Sequence, residues 1–496
     1  MRGMSDSPAP LEDFLDAFHR LAEAAAEQAQ ARRAAGAAPL LPVLEAHLGT
    51  DPRGIAVLTE MLSPLRVVDA DVAIERVVAA HGGGELIGIG GGDQRWHNTL
   101  SEILQMTVHG MFPLGPVDYR TTPVGPEEER STVAFGLHLF HVTRDGDRHP
   151  VAVLERAGVS QFGQPPRLEV LAAADGVAEA LLAEIRAAMN AHSVLRGQVV
   201  TFAPSEYGPS AGGVTFVPRP DVAAVDVVLP PGRLERIERH VLGIARHRGD
   251  LLAAGQHLKR GVLLYGPPGT GKTHTVRYLV GAAREATVIL LSGTSLQFIH
   301  QAAEVARALQ PAIVVLEDCD LVAEERSHRT SSPLLFEVLD TLDGLAADAD
   351  VVFLLTTNRA DMLEPALAQR PGRVDLAVEI PLPGVEARRA LLALYAAGLP
   401  FSPAALDEVA AAAEGTTASF TKELVRRAVL RAVERGGADV GDADLRAALT
   451  EMMDDGEALT RVLVGGGLAG PGPDGGQFGW TAASGGMPEP GVWPGG

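Results

Sequence analysis

A single cysteine, Cys319, stands in 496 residues, so neither an intrachain disulfide nor a cysteine-built metal centre is available. Lysine is nearly as scarce: Lys259, Lys272 and Lys422 are the only three, and arginine supplies the other basic side chains. Aromatic residues make up 4% of the chain, which leaves Ala, Leu and Val to build the cores within an apolar content of 46%. No apolar run approaches the roughly 20 residues of a bilayer-spanning helix. The opening MRGMSDSPAP lacks the basic segment and apolar core of a secretory signal. A net charge of −21 argues against coating nucleic acid or an anionic membrane, so no nucleic-acid partner and no membrane span are expected. The histidines form no H-E-x-x-H pair, which argues against a zinc-protease site. A cytoplasmic protein of about three domains is the expectation.

What is present divides into five stretches. Residues 1–70 read as a helical segment, with Leu11, Phe14, Leu15, Phe18 and Leu21 at helical spacing and a second apolar pattern in PLLPVLEAHL. Residues 71–220 read as an α+β domain of unknown role. There VAFGLHLFHV alternates through Val133, Phe135, Leu137 and Leu139, RDGDRHP turns, and VAVLE returns. GVAEALLAEIRAAMNAH fits a helix, and GQVVTFA and GVTFVP fit strands. GIGGGD at 88–93 has neither the spacing nor the context of a dinucleotide loop and reads as a glycine-rich turn.

Residues 221–384 alternate the short apolar runs GVLLYG, TVILLS, AIVVLE, VVFLLT and VDLAVEI with helical stretches. This predicts an α/β fold, a parallel five-stranded sheet covered by helices. Upstream, Leu234, Ile237, Val241 and Ile244 share one face of a helix expected to pack beside it. Residues 385–455 are helical throughout, and 456–496 form a Gly/Pro-rich tail expected to be disordered, with Trp480 and Trp493 as the visible docking points.

The chemistry sits where those strands end. GPPGTGKT (Gly266, Pro267, Pro268, Gly269, Thr270, Gly271, Lys272, Thr273) follows GVLLY and opens a helix. Its glycines let several backbone N–H groups converge on one centre at a helix N-terminus. Lys272 suits the β- and γ-phosphates of ATP, and the Thr273 hydroxyl suits Mg²⁺. About 45 residues on, PAIVVLEDCD ends a buried strand in Glu317 and Asp318, with Asp320 beyond. The first acid is expected to hold Mg²⁺ and the second to orient and polarise the attacking water. TTNRAD ends the next strand and offers Asn358 to the γ-phosphate or that water; PALAQRPGRVD then offers Arg370 and Arg373.

GPPGTGKT, TTNRADMLEPALAQRPGRVD and EGTTASFTKELVRRA together resemble the AAA+ ATPases, specifically the AAA clade, over about residues 225–450. The resemblance implies a P-loop NTPase core with a C-terminal helical lid and ATP hydrolysis. It implies that Asn358 is the first sensor, that Arg370 and Arg373 are fingers reaching a neighbour's ATP, and that Thr417, Ala418 and Ser419 stand at the second sensor. A ring of probably six copies follows, with residues 1–220 recognising a protein client or adaptor. The order Glu-Asp, where most P-loop ATPases have Asp-Glu, looks like the branch containing the mitochondrial translocase of the Rieske iron–sulfur protein.

Two readings of the function stay open. In one, the ring remodels or translocates a protein client; in the other, it is a nucleotide-switched assembly or scaffold ATPase without threading activity. Phe298 and Ile299 are the best available client-gripping pair, yet they equally suit packing of the helix that follows. VAEERSHRTSSP at 322–333 reads as an exposed polar linker that ends where Ser332 and Pro333 start a helix. Lys422, shortly after the second-sensor segment, reads as an exposed helix lysine.

Overall fold

The computed structural model describes residues 38–454, apart from 159–163, 206–207, 320–343, 345, 347, 360–373 and 437–438. The helix expected over residues 11–30, Asp320, the loop at 322–333, Arg370, Arg373 and the tail from 456 lie outside the described residues. The chain divides into two compact units, residues 1–382 and 383–496.

The first unit opens with α1 (Leu40–Leu48), β1 (Leu58–Met61), α2 (Val67–Ala80), β2 (Gly84–Ile89) and α3 (Leu100–Met106). There follow β3 (Leu114–Gly115), β4 (Asp118–Pro123), β5 (Glu129–Arg144), β6 (Asp147–Arg156), β7 (Arg167–Ala172) and α4 (Val177–Ala191). The strands form an antiparallel sheet ordered β1-β7-β6-β5-β2-β3, with β4 also on β5. Ile74 and Val77 of α2 and Leu181 and Ile185 of α4 pack with Phe140 and Val153. Leu40 and Leu44 of α1 and Ile103 of α3 pack with Phe135, Leu137 and Leu154. The alternation of β5 sends successive side chains to opposite faces, and helices cover both, so the strand has no solvated half. Two polar pairs lie inside: His138 faces Glu155 at 3.0 Å, and Arg156 meets Glu169 at 2.7 Å, while Glu155 Oε1 and Arg156 Nη2 are buried without a hydrogen-bond partner.

The α+β domain therefore begins well before residue 71. Residues 38–70, expected to belong to a separate helical segment, supply α1 to its core and β1 to its sheet edge, where Leu58 stands opposite Val170. A four-residue strand such as LTEM has too short an alternation to be told from a loop without its partner.

The second sheet contains β8 (Val199–Ser205), β9 (Gly208–Phe216), β10 (Arg260–Tyr265), β11 (Thr287–Ser292), β12 (Ala312–Glu317), β13 (Val351–Thr357) and β14 (Leu376–Glu379). Between them run α5 (Lys272–Ala282) and α6 (Ile299–Ala308). The order is β14-β10-β13-β12-β11-β8-β9. All five expected strands form and run parallel. Two more extend the sheet: β8 lies parallel on β11, and β9 returns antiparallel on β8. The sheet thus has seven strands, and the expected division at residue 220 falls after two of them. GQVVTFA and GVTFVP read locally as a hairpin, and a hairpin does not announce which sheet it will join.

Helices cover both faces of this sheet. Ile299, Ala302, Val305 and Ala306 of α6 pack with Val314, Leu316, Phe353 and Leu355 on one side. Val276 and Leu279 of α5 pack with Val262, Leu264 and Val315 on the other, joined by Ile237 and Val241. The last two come from the helical stretch over 233–253, which passes through a π turn at Arg239–Gly243. Leu234 and Ile244, expected on the same face, are only half-buried. At the strands' N-terminal ends Arg260 meets Asp350 at 2.8 Å, both buried, and also donates to the Leu258 and Val241 carbonyls.

The second unit consists of α7 (Val385–Tyr395), α8 (Pro403–Ala412), α9 (Ala418–Glu434) and α10 (Asp442–Met453). Leu392, Val409, Phe420, Leu424, Leu445 and Met452 form its core. No helix among the described residues is long and apolar enough to cross a membrane.

Removing one partner of the Arg260–Asp350 pair leaves a buried charge without compensation. Arg260→Met is expected to destabilise the sheet by about 3–5 kcal/mol, read as a lowered midpoint in chemical denaturation. Arg260→Met with Asp350→Leu should recover most of that loss; equal midpoints for the two variants would remove the pair from the account.

Candidate nucleotide site

The loop between β10 and α5 is a cradle of backbone. Gly266, Gly269 and Gly271 take φ of 144°, 73° and 109°, values that L side chains rarely adopt. Gly266 is further constrained by a neighbour, since a Cβ there would stand 2.1 Å from the Ile380 carbonyl oxygen. That approach is built in, because the Ile380 N–H donates to the Tyr265 carbonyl at 2.7 Å. Thr270 Oγ1 donates to the Pro267 carbonyl at 2.9 Å and tightens the turn. Lys272, 5% exposed, folds back so that Nζ donates to the Gly266 and Pro267 carbonyls, each at 2.8 Å. All eight expected residues, Gly266 to Thr273, lie in this loop and the first turn of α5.

The acids stand opposite. Glu317 is the last residue of β12, and its carboxylate stands close enough to the Thr273 side chain for that hydroxyl to favour the ionised form. Burial raises the Glu317 carboxyl above its ordinary value; the nearby Thr273 hydroxyl opposes that shift, and the neighbouring Asp318 charge adds to it. Glu317 Oε1 is buried without a hydrogen-bond partner. An unpaired hard oxygen on a half-buried carboxylate, beside a hydroxyl, fits a Mg²⁺ ion that takes few protein ligands and completes its shell with phosphate and water. Thr273 and Glu317 are the residues that would hold it.

Asp318 leaves the strand with a φ of 52°, one of three non-glycine residues at positive φ among the described residues. Its N–H donates to Thr356 Oγ1 at 3.0 Å, and Asn358 Nδ2 donates to its Oδ1 at 3.4 Å. The structure therefore gathers Lys272, Thr273, Glu317, Asp318 and Asn358 at the carboxyl ends of β10, β12 and β13, where open parallel sheets bind ligands.

Sequence reasoning missed three supporting residues. Thr356 was visible only as a polar residue closing an apolar strand. Ile380 and Asp226 left no signal at all; the Asp226 carbonyl oxygen lies 3.1 Å from His274 Nε2 on α5. In the separate helical unit, Thr417 caps α9 by accepting from the Phe420 N–H at 3.2 Å, Ala418 is buried, and Ser419 and Lys422 are exposed.

Phe298 and Ile299, for which gripping and packing were both open, are 2% and 0% exposed. Both belong to the core beneath α6, and the Phe298 ring meets Phe202 of β8 edge-on with centroids 6.3 Å apart. They pack; they do not project.

A glycine cradle ending in a lysine, a hydroxyl facing the first acid at the end of a strand two places away, and an amide facing the second define a P-loop nucleoside-triphosphatase module. Residues 262–382 match the family model described as "ATPase family associated with various cellular activities (AAA)". Over 270 residues the chain is 34% identical to ATP-dependent zinc metalloprotease FtsH 3 of Sphaerobacter thermophilus, covering 51% of this chain and 52% of that one. Proteasome-activating nucleotidase of Thermococcus onnurineus is 27% identical over 280 residues, 53% of this chain and 70% of that one. FtsH 2 of Sorangium cellulosum is 36% identical over 214 residues, 39% and 35% of the two. The chain carries an AAA ATPase domain, a module of the AAA+ class. It spans about half the length, or less, of the FtsH proteins it matches.

Two substitutions check this geometry. Phe298→Ala is expected to cost about 3–5 kcal/mol of stability, seen in an unfolding transition, as a core aromatic would and an exposed gripping residue would not. Gly266→Ala forces Ile380 and the loop apart and should weaken ATP binding by roughly tenfold or more, measured by calorimetry; unchanged affinity would contradict the close approach.

Proposed function

We propose that this chain hydrolyses ATP with Mg²⁺ as a ring of copies, six being the expected number, and that nucleotide turnover drives work on a protein client or adaptor held by the N-terminal α+β domain. One observation carries the reading: Glu317 faces Thr273 while Asp318, the next residue, faces Asn358. A metal-side acid and a water-side acid are thereby separated by a single peptide. Mg²⁺, when bound, neutralises charge on the phosphates. The protein's own part is positional. The loop N–H groups and Lys272 hold the phosphates, Asp318 orients and polarises water, and Asn358 holds Asp318. Arg370 and Arg373, on the motif before β14, are assigned to the neighbouring subunit's ATP by family likeness. The Glu-Asp order supports a place near the Rieske-protein translocase branch, and a cytoplasmic site of action is part of the proposal.

A second reading, a nucleotide-switched scaffold without threading, is favoured by the burial of Phe298 and Ile299. The best available gripping pair, for which packing was equally open, is committed to the core. In that reading the moving parts are the N-terminal domain and the docked partners.

Lys272→Ala is expected to lose ATP binding, whereas Asp318→Asn should bind ATP and turn it over about 100-fold or more slowly. Equal turnover by Asp318→Asn and the unaltered protein would sink the catalytic assignment. Specific activity should rise with protein concentration, and Arg373→Ala should lower it by roughly 10³-fold without weakening ATP binding; activity independent of concentration removes the ring. An Asp318→Asn trap separates the two readings. Proteins captured only with ATP indicate a client being remodelled, and proteins captured whatever the nucleotide indicate a scaffold.

A further inference from the structure

The acid pair Glu317-Asp318 straddles the end of the β12–β13 ladder. The β12–β13 ladder runs in register from Ala312 opposite Val351 to Leu316 opposite Leu355, and stops there. The next step would place Glu317 opposite Thr356, but the chain turns away instead. Asp318 adopts a φ of 52°, in the left-handed region. Its N–H has left the ladder, and the Thr356 side-chain oxygen accepts it at 3.0 Å in place of a strand carbonyl. Thr356 is 1% exposed, so no water is at hand to substitute for that oxygen.

Left-handed backbone is tolerated several-fold better by Asp and Asn than by longer side chains. A site whose second acid must sit in that conformation therefore favours Asp second, which leaves Glu for the last strand position. Glu317 remains in the strand there, and its additional methylene extends its carboxylate toward Thr273. The same turn brings Oδ1 of Asp318 to within 3.4 Å of Asn358 Nδ2.

We propose that Thr356 is a positioning residue that locks Asp318 in the left-handed turn, aiming its carboxylate at the attacking water, and that this turn dictates the order Glu317-Asp318. The inference rests on the ATPase reading for the role of the carboxylate, but the turn itself is a property of the fold. Strain held at a single residue by a neighbouring side chain is common at catalytic positions. Thr356 touches no reacting atom and acts through Asp318 alone.

The test uses the full chain with Thr356→Val, Thr356→Ser and the exchanged pair Glu317→Asp/Asp318→Glu. Valine keeps the shape of threonine and lacks the acceptor. Thr356→Val should lower kcat by roughly 100-fold while leaving the Kd for Mg·ATPγS within about threefold. Thr356→Ser should restore most of the turnover, and the exchanged pair should be as slow as Thr356→Val. Amide exchange at Asp318, read by NMR or mass spectrometry, should be at least about tenfold faster in the valine variant alone. Unchanged exchange at Asp318 overturns the proposal whatever the activity. So does a valine variant with full kcat, or one that loses binding and turnover together and is not rescued by serine. If the unaltered protein neither binds nor cleaves ATP, the ATPase reading and the aiming role fall, and the exchange data still decide whether Thr356 holds the turn.

Discussion

The approach of the Thr273 hydroxyl to the Glu317 carboxylate joins the two halves of the nucleotide site. Thr273 opens α5, which leaves β10; Glu317 closes β12, two strands away. They meet only because β13 lies between β10 and β12 in parallel register and brings all three carboxyl ends level. A one-residue slip of β12 would reverse the face of every side chain on it. Its continuous burial on both faces, among Val314, Val315 and Leu316, makes such a slip costly.

The opposite end of the sheet serves stability. The buried Arg260–Asp350 pair ties the starts of β10 and β13 and satisfies two loop carbonyls. Core and chemistry are thus separated along the strands, with compensated charge at one end and, at the other, an unpaired Glu317 oxygen that a cation would satisfy.

The hairpin β8–β9 ties the N-terminal domain to the sheet that carries that site. It hydrogen-bonds to β11, and its Phe202 packs on Phe298, the residue immediately before α6. Leu65 and Leu195, flanking α2 and α4 of the N-terminal layer, enter the same core. Phe298, for which client gripping and helix packing were both open, packs into this core.

The local sequence by itself determined the P-loop, the five central strands, the four helices of the C-terminal unit and the two acids. Each is specified over short range, by glycines that permit positive φ, by apolar runs of strand length or by helical periodicity. Tertiary structure alone decided that LTEM joins the N-terminal sheet, that GVTFVP extends the second one, and that Phe298 is buried. Those outcomes depend on partners more than 80 residues away, and a short strand or a lone aromatic does not encode them locally. The left-handed turn at Asp318 belongs to both levels: the Glu-Asp order is written in the chain, but its reason appears only when β13 places Thr356 beside it.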